Sequence, residues 1–381
     1  MSPQKFNWAG NLVATAMTSQ PVWPTVQATP ARSGYHSTEQ VPTQPLMCNW
    51  TFDTTTTAED ITGVRGIGSA SPVIGTELLY FANDAGNVYA LDIETGEQRW
   101  RYTNSDPVHS VSSPTQAGNT LFVGIDDKLH ALAADTGARK WAATIGDGAI
   151  DGSPTVVGDI VVAQNEQVHG IDRETGTIDW TVETNGGRQS VPAAMDESVY
   201  VADPTHIRAI DGTDGSTKWM TELDCELSTS PVVSDTTVFV GGEDGTLTAI
   251  EADSGQTNWR VDVGTEIEAS PAVANETVYI GTAGVWDGKN NLYAIDAADG
   301  TIEWTFGDTL EPIRSAPVVA DNTVLTGYSG QLFALAADTG EKRWSVKLRG
   351  TSLSSPAFAH GTVFVESNNQ YLYALSTDRD L

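Results

Sequence analysis

The chain has 381 residues, with 50 Asp and Glu against 20 Lys and Arg, so its formal net charge is −30. This charge excludes proteins that bind nucleic acid through basic patches, because phosphate groups repel a carboxylate-covered surface. A high-salt environment, in which dissolved ions screen the repulsion between carboxylates, explains the charge most simply, so the sequence predicts a halophilic protein. A surface dedicated to cations or to a basic partner is the alternative.

Residues 1–46 lack the repeated pattern of the rest of the chain, and we expect them to form an extended arm that packs on it. No secretion signal is convincing, because the apolar stretch at residues 11–17 is short and mixed and only Lys5 precedes it. No stretch approaches the length of a membrane-spanning helix, and neither Cys48 nor Cys225 is placed for lipidation. The sequence therefore predicts a cytoplasmic protein by default, with the cell surface as the alternative.

From residue 47 onward one pattern recurs, in which a Gly precedes a Trp by four residues. Successive Trp residues are separated by 41, 39, 39, 40, 45 and 40 residues. A period near 40 built from short strands is typical of a propeller. The seven pairs are Gly96 with Trp100, Gly137 with Trp141, Gly176 with Trp180, Gly215 with Trp219, Gly255 with Trp259, Gly300 with Trp304, and Gly340 with Trp344.

Each part of the pattern has a structural interpretation. The alternating residues 332–336 predict a strand, and Asp338-Thr339-Gly340 predicts the tight turn after it. The Trp then begins an outer strand, and we expect its ring to dock neighbouring blades together, with a ladder of ligand-stacking rings as the alternative. An Ala or Gly ten residues before each Trp is expected to make room for a ring from a neighbouring unit.

A second marker is a Pro that follows two small residues, and it occurs eight times. Small side chains at the same place in every unit favour innermost strands that converge on one axis. The eight are Pro72, Pro114, Pro154, Pro192, Pro231, Pro271, Pro317 and Pro356.

The eighth unit ends shortly after Leu375, before the position where its Trp would fall. A matching strand around Trp50 precedes the first unit instead. The sequence therefore predicts an all-β fold in which residues 47–381 form an eight-bladed propeller of four-stranded blades. The strand around Trp50 is predicted to close the ring and remove its open edge. We expect a monomer.

The units stop agreeing in the loops before the Pro markers, which propeller topology places on one face. The sixth unit also has an insertion at residues 281–291, with a Trp outside the repeat frame. We expect this face to bind a partner or ligand, although a solvated channel mouth and a Trp folded onto its own blade are the alternatives. The candidate binding residues are Arg65, His109, Asp151, Gln189, Glu268, Trp286, Lys289 and Arg314.

The form Ala90-Leu91-Asp92 with Thr95-Gly96 and Trp100 resembles the repeat of pyrroloquinoline-quinone (PQQ) type propellers. Quinoprotein dehydrogenases and outer-membrane assembly lipoproteins of the BamB family share that repeat. The dehydrogenases are longer and carry adjacent cysteines and a calcium-bound acidic cluster, whereas Cys48 and Cys225 are far apart here. The resemblance therefore implies a scaffold with no catalytic residue, no metal and no cofactor, and PQQ with calcium is the alternative.

The function predicted from the sequence is a non-catalytic binding or assembly scaffold that presents one face to a protein partner or ligand. The six His residues are scattered, and no Ser-His-Asp order, phosphate loop or pair of catalytic carboxylates stands out. A PQQ-dependent oxidoreductase or ligand sensor is one alternative, and a polysaccharide-binding or hydrolytic protein is the other. A halophile of archaeal type has no outer membrane, so the membrane role of the BamB family is not transferred.

Overall fold

The computed structural model describes residues 25, 27–29, 32–36, 41, 44–54, 70–105, 108–184, 190–284, 290–309, 311–351 and 353–377. Over these residues the chain forms β-strands and turns and no helix. No described segment could therefore cross a bilayer as a long apolar helix. The first two strands, β1 (Tyr35–His36) and β2 (Met47–Asp53), precede the eight blades.

Each of the first four blades consists of four consecutive antiparallel strands, numbered from the centre of the ring outward. Blade 1 contains β3 (Val73–Ile74), β4 (Leu78–Ala82), β5 (Asn87–Asp92) and β6 (Gln98–Thr103). Blade 2 contains β7 (Thr115–Ala117), β8 (Thr120–Ile125), β9 (Lys128–Ala133) and β10 (Arg139–Thr144). Blade 3 contains β11 (Thr155–Val157), β12 (Ile160–Gln164), β13 (Gln167–Asp172) and β14 (Ile178–Glu183). Blade 4 contains β15 (Ala193–Met195), β16 (Ser198–Ala202), β17 (His206–Asp211) and β18 (Thr217–Glu222).

The next three blades repeat this order, and the eighth is completed by β2. Blade 5 contains β19 (Val232–Ser234), β20 (Thr237–Gly241), β21 (Thr246–Glu251) and β22 (Thr257–Asp262). Blade 6 contains β23 (Ala272–Ala274), β24 (Thr277–Gly281), β25 (Asn290–Asp296) and β26 (Ile302–Thr309). Blade 7 contains β27 (Val318–Ala320), β28 (Thr323–Tyr328), β29 (Gln331–Ala336) and β30 (Lys342–Lys347). Blade 8 contains β31 (Ala357–Ala359), β32 (Thr362–Ser367) and β33 (Tyr371–Ser376).

Burial follows the position of a strand in its blade. Strand β8 is buried at all six residues, because its sheet is covered on both faces by the neighbouring blades. Strand β10, the outermost of the same blade, alternates exposed and partly buried residues. This alternation is typical of a strand with one face in solvent. The core is therefore a ring of apolar layers between blades.

Strand β2 closes the ring, as the sequence predicts. It pairs antiparallel with β33, with Trp50 opposite Ala374 and Phe52 opposite Leu372. The Trp50 indole donates to the Ile93 carbonyl of blade 1 at 3.1 Å, which joins the first and last blades. The predicted eight-bladed all-β propeller is thus confirmed.

The repeated Trp residues connect each blade to the next. In blade 3 the Trp180 indole donates to the Gly212 carbonyl of blade 4 at 3.1 Å, and its ring lies over Gly215. A Cβ added to Gly215 would lie 2.9 Å from that ring, and the φ there is +75°. Both observations require Gly at this position. The other six indole bonds run from Trp50 to Ile93, Trp100 to Ala134, Trp141 to Arg173, Trp219 to Ala252, Trp259 to Ala297, and Trp304 to Ala337.

One expectation about these rings is wrong. The Ala or Gly ten residues before each Trp faces the Trp of its own blade, as Ala90 opposite Trp100 and Gly170 opposite Trp180 show. The two residues are paired across the third and fourth strands, so the small side chain makes room for the ring beside it. The ring from the neighbouring blade lies instead over the Gly of the turn.

The N-terminal arm enters the central channel. Strand β1 pairs in parallel with β27, the innermost strand of blade 7. The backbone N–H of Val273 in blade 6 donates to the Ser33 carbonyl at 2.7 Å. Ala28 belongs to the same buried cluster as Ile74 of blade 1 and Phe358 of blade 8. The described arm residues therefore fill the part of the channel that is bounded by blades 6, 7, 8 and 1.

Candidate functional site

A polar cavity of about 440 Å³ lies at the mouth of the channel, where the innermost strands of blades 3 to 6 begin. We call it the mouth cavity. Three acidic residues line it, and they are Asp151, Asp203 and Glu268. The other lining residues are Ser190, Ala202, Leu227, Ser228, Thr229, Ser230 and Ser270. The described arm residues lie on the opposite side of the channel, against blades 6, 7, 8 and 1.

The structure brings three of the predicted binding residues together. Asp151 and Glu268 line the mouth cavity, and Arg314 of blade 7 donates from Nε to Glu268 Oε2 at 2.9 Å. Asp151 accepts a short hydrogen bond from the Ser110 hydroxyl of the loop before blade 2. These contacts cross from one blade to another, so the mouth loops are tied together around the cavity.

Of the other five predicted residues, the structure describes one. His109 has a side chain that is 69% exposed and lies 4.0 Å from Asp126, outside the cavity lining. The remaining four lie outside the described residues, and they are Arg65, Gln189, Trp286 and Lys289.

A buried ion pair in blade 4 is a feature that the sequence analysis missed. The Asp203 side chain is only 1% exposed and accepts from Arg208 Nη2 at 2.6 Å and from Arg208 Nε at 3.2 Å. His206 Nδ1 lies 3.1 Å from the other carboxylate oxygen. A buried carboxylate is tolerated when its oxygens are paired in this way. The pair fixes the hairpin between β16 and β17 as one wall of the cavity. The pattern Asp-x-x-His-x-Arg, which replaces a simple turn, was the feature of the sequence that could have indicated it.

The small residues before each Pro have a second role that the sequence analysis also missed. The backbone N–H of Val191 in blade 4 donates to the Ser230 hydroxyl of blade 5 at 2.9 Å, and Ser230 donates likewise to Ser270 of blade 6 at 3.3 Å. The Thr229 hydroxyl accepts from the Gly241 N–H within blade 5 at 2.8 Å. The hydroxyls therefore hold the cavity wall together by accepting hydrogen bonds from the backbone.

The described cavity wall does not fit PQQ. That cofactor is a flat quinone with several carboxylates, so it needs an aromatic or other flat apolar surface and unpaired cationic groups. The described lining is mostly Ser, Thr, Asp and Glu, and the two described arginines that bond to it, Arg208 and Arg314, are already paired with Asp203 and Glu268. Among the described residues, no three His, Cys, Asp or Glu side chains lie close enough together to hold a metal ion.

A buried carboxyl group lies at the seam between blades 8 and 1. Glu366 is 5% exposed, and its Oε2 has no hydrogen-bond partner. The equivalent position in blade 3 is Gln164, whose amide donates to the Ala202 carbonyl of blade 4 and accepts from the Ser190 hydroxyl. Burial, together with the negative charge of Asp84, raises the pKa of Glu366 well above its ordinary value. Burial therefore favours the protonated, uncharged form of Glu366, which is closer in charge to an amide.

Replacing Glu366 with Gln is expected to stabilise the protein near neutral pH. The unfolded chain releases the Glu366 proton above its ordinary pKa of 4.5, while the folded protein retains it, so wild-type stability falls as pH rises from that value toward the raised pKa. Glu366→Gln removes this loss and should gain about 1–3 kcal/mol near neutral pH. The gain should disappear near pH 4, where both states hold the proton. Thermal unfolding across this pH range, with the exposed Glu341→Gln as control, measures the effect, and a gain independent of pH would contradict it.

The comparisons with known proteins agree with this architecture. Residues 107–226, 203–321 and 309–380 match the sequence model described as outer membrane protein assembly factor BamB. Residues 23–113 match a model described as the β-propeller domain of glucose/ethanol/alcohol dehydrogenase. A search of the curated proteins finds no match.

Several solved structures share the fold at low sequence identity. BamB from Moraxella catarrhalis is 18% identical with a TM-score of 0.71, and the alignment covers 88% of this chain and 99% of that protein. A europium-containing methanol dehydrogenase is 15% identical with a TM-score of 0.75, and the alignment covers 94% and 98% of the two chains. A quinohemoprotein alcohol dehydrogenase from Comamonas testosteroni is 16% identical with a TM-score of 0.75, covering 96% and 82%.

Likeness at such identities shows the fold alone, and the fold hosts both assembly factors and dehydrogenases. The sequence matches are more specific, because the three BamB segments follow one another without a gap and reach from blade 2 to the last strand of blade 8. The chain therefore belongs to the BamB family of PQQ-like propellers.

Proposed function

We propose that the protein is a non-catalytic scaffold that binds a protein partner at the face around the mouth cavity. The observation that carries the proposal is the contrast between the two faces of the ring. Around the cavity the described blades differ, with a buried Asp203–Arg208 pair in blade 4 and an Arg314–Glu268 pair that joins blades 7 and 6. Such a patch can recognise one partner in one orientation.

The opposite face is built from the same turn in blade after blade. In blade 1, Asp92 accepts from the backbone and hydroxyl of Thr95, and Asp172 of blade 3 accepts from Thr175 in the same way. These carboxylates serve the turn itself, so they offer a partner little that distinguishes one blade from another. The family description as an assembly factor also supports a scaffold. No outer-membrane client is proposed for this chain.

The test is recovery of a partner from lysate at native salt with variants of each face. Glu268→Lys inverts a charge at the cavity and breaks the contact with Arg314, and Trp286→Ala removes the predicted anchor of the blade 6 insertion. The control is Glu341→Ala, an exposed residue in a turn of the opposite face. A specific partner should be lost about tenfold or more with Glu268→Lys, which corresponds to about 1.4 kcal/mol, and kept with the control. Equal recovery of the partner with all variants would contradict the proposal that this face binds it.

A PQQ-dependent oxidoreductase is the second candidate, because dehydrogenases are among the structural neighbours. Purified protein incubated with PQQ and calcium should show neither retained quinone absorbance nor dye reduction with alcohols or aldoses, since the described cavity wall lacks the groups that the quinone needs. Turnover with any common alcohol or aldose would overturn the scaffold proposal in favour of the enzyme.

A further inference from the structure

A buried cation lies inside the central channel, on the arm. Arg32 is only 3% exposed, and its Nη2 donates to the Gln27 Oε1 atom at 3.0 Å. Its Nε and Nη1 atoms are buried and have no hydrogen-bond partner. No described carboxylate forms an ion pair with it, in contrast to Arg208, which is also buried but holds Asp203. Arg32 is thus a buried charge without a counter-charge in the described part of the chain.

The arm fixes this guanidinium in place from both sides. Gln27, itself 1% exposed, donates from Nε2 to the Pro271 carbonyl at the start of the innermost strand of blade 6, at 2.7 Å. The Gly34 carbonyl accepts from Val319 of blade 7 at 2.7 Å. Arg32 therefore lies between two residues that are bonded to two different blades. A side chain exposed at the surface would not need neighbours that are hydrogen-bonded to two blades.

Physical chemistry makes an unpaired buried guanidinium costly. Moving a charge out of water is strongly unfavourable unless an opposite charge or several acceptors replace the lost hydration. Burial lowers the pKa of Arg32 to about 9, which still leaves the group charged at neutral pH. The protein as a whole is strongly acidic, with 50 Asp and Glu, so carboxylates to pair with an arginine are plentiful in the sequence. None of the described ones reaches Arg32, so its charge is not compensated by the described part of the chain.

The geometry of the guanidinium indicates what kind of anion fits. Two edges of the guanidinium include Nη2, and each of them presents two parallel N–H bonds. Such a pair of bonds matches the two oxygens of a carboxylate. Gln27 accepts only one Nη2 hydrogen, so one complete edge has no hydrogen-bond partner whichever hydrogen it accepts. The side chain is almost entirely covered, which excludes a bulky anion.

We propose that Arg32 binds a small carboxylate anion from solution, such as formate or acetate, inside the channel beneath the arm. Entry requires a local shift of the arm. Gln27, Ala28 and Arg32 have φ values of +62°, +73° and +61°, which residues other than glycine seldom adopt, so the backbone of this segment is locally strained. The anion would supply the missing counter-charge and anchor the arm between blades 6 and 7. The proposal rests on the arm alone and is independent of the mouth cavity.

The test measures thermal unfolding while formate replaces gluconate at a constant potassium concentration. Gluconate is also a carboxylate but is too bulky to enter, so it controls for ionic strength and for the functional group. Wild-type protein should show a saturable rise in Tm of about 2 °C or more with formate, because a ligand that binds only the folded state stabilises it. Arg32→Gln should abolish the rise, and Arg139→Gln, an exposed arginine of blade 2, should retain it.

Equal responses of wild type and Arg32→Gln would overturn the proposal. If Arg32→Gln fails to fold, crystals of the wild-type protein grown with formate decide the matter. Planar density within hydrogen-bond distance of the Arg32 guanidinium would support the site, and its absence at saturating formate would refute it.

Discussion

Deletion of residues 1–53 is expected to produce a protein that aggregates. The deletion removes β2, which leaves blade 8 with three strands and exposes the edge of β33 along its whole length. An unpaired edge strand is a template for pairing with another chain. Light scattering after gel filtration in molar salt measures the outcome. A monomeric truncation that unfolds at the wild-type temperature would contradict the closure of the ring by this strand.

Two matched variants separate the closing strand from the arm. Deletion of residues 1–46 removes the arm but keeps β2, so this protein should stay monomeric. Trp50→Ala keeps the strand but removes the ring that lies over Gly96 and bonds to Ile93, and it should cost about 3–5 kcal/mol, as Trp219→Ala should in the middle of the chain. Met47→Ala, at a residue that is 43% exposed on the same strand, should change stability by about 0.5 kcal/mol or less.

Stability is expected to rise strongly with salt concentration. The 50 acidic side chains outnumber the 20 basic ones by 30, so most carboxylates have no cation to pair with. Screening shortens the reach of their repulsion from about 10 Å at 0.1 M salt to about 3 Å at 1 M. The melting temperature should therefore increase between dilute buffer and molar KCl by well over the few degrees that one substitution produces. A flat profile would argue against the halophilic interpretation.

A non-ionic osmolyte provides the control for this experiment. Sucrose stabilises folded proteins by exclusion from their surface but does not screen charge. It should therefore reproduce only a small part of the effect of KCl. If sucrose and KCl stabilised the protein equally, the repulsion between carboxylates would not be the cause.

The repeat was sufficient to predict the architecture, because each of its residues has a local role. Gly215 allows a left-handed backbone and the close approach of Trp180, and no other residue type meets both needs. The offset between eight Pro markers and seven Gly–Trp pairs predicted that a strand from the N-terminus must complete the last blade. Neither inference requires knowledge of distant contacts, so both could be drawn from the sequence.

The contacts around the mouth cavity are made between different blades, and such contacts could not be predicted from the sequence. Ser230 and Ser270 are small enough to suit an innermost strand, which hid their role as acceptors for the preceding blade. Arg32 is a charged residue in a segment without a pattern, where burial is the less common outcome. Asp151 and Glu268 were identified because they vary between units, but the sequence did not reveal that a cavity separates them from the arm.

The pairing of β2 with β33 also determines the order in which this protein can complete its fold. The Asn49 side chain bonds to Ser376, 327 residues further along the chain. Asn49 leaves the ribosome 327 residues before its partner Ser376, so at about 5–20 residues per second the closing strand waits roughly 15–65 s for the strand it pairs with. Contacts between residues so far apart in sequence form slowly, because the loop between them must close before they contribute energy. The strand that closes the ring is therefore exposed during this interval to proteases and to other nascent chains.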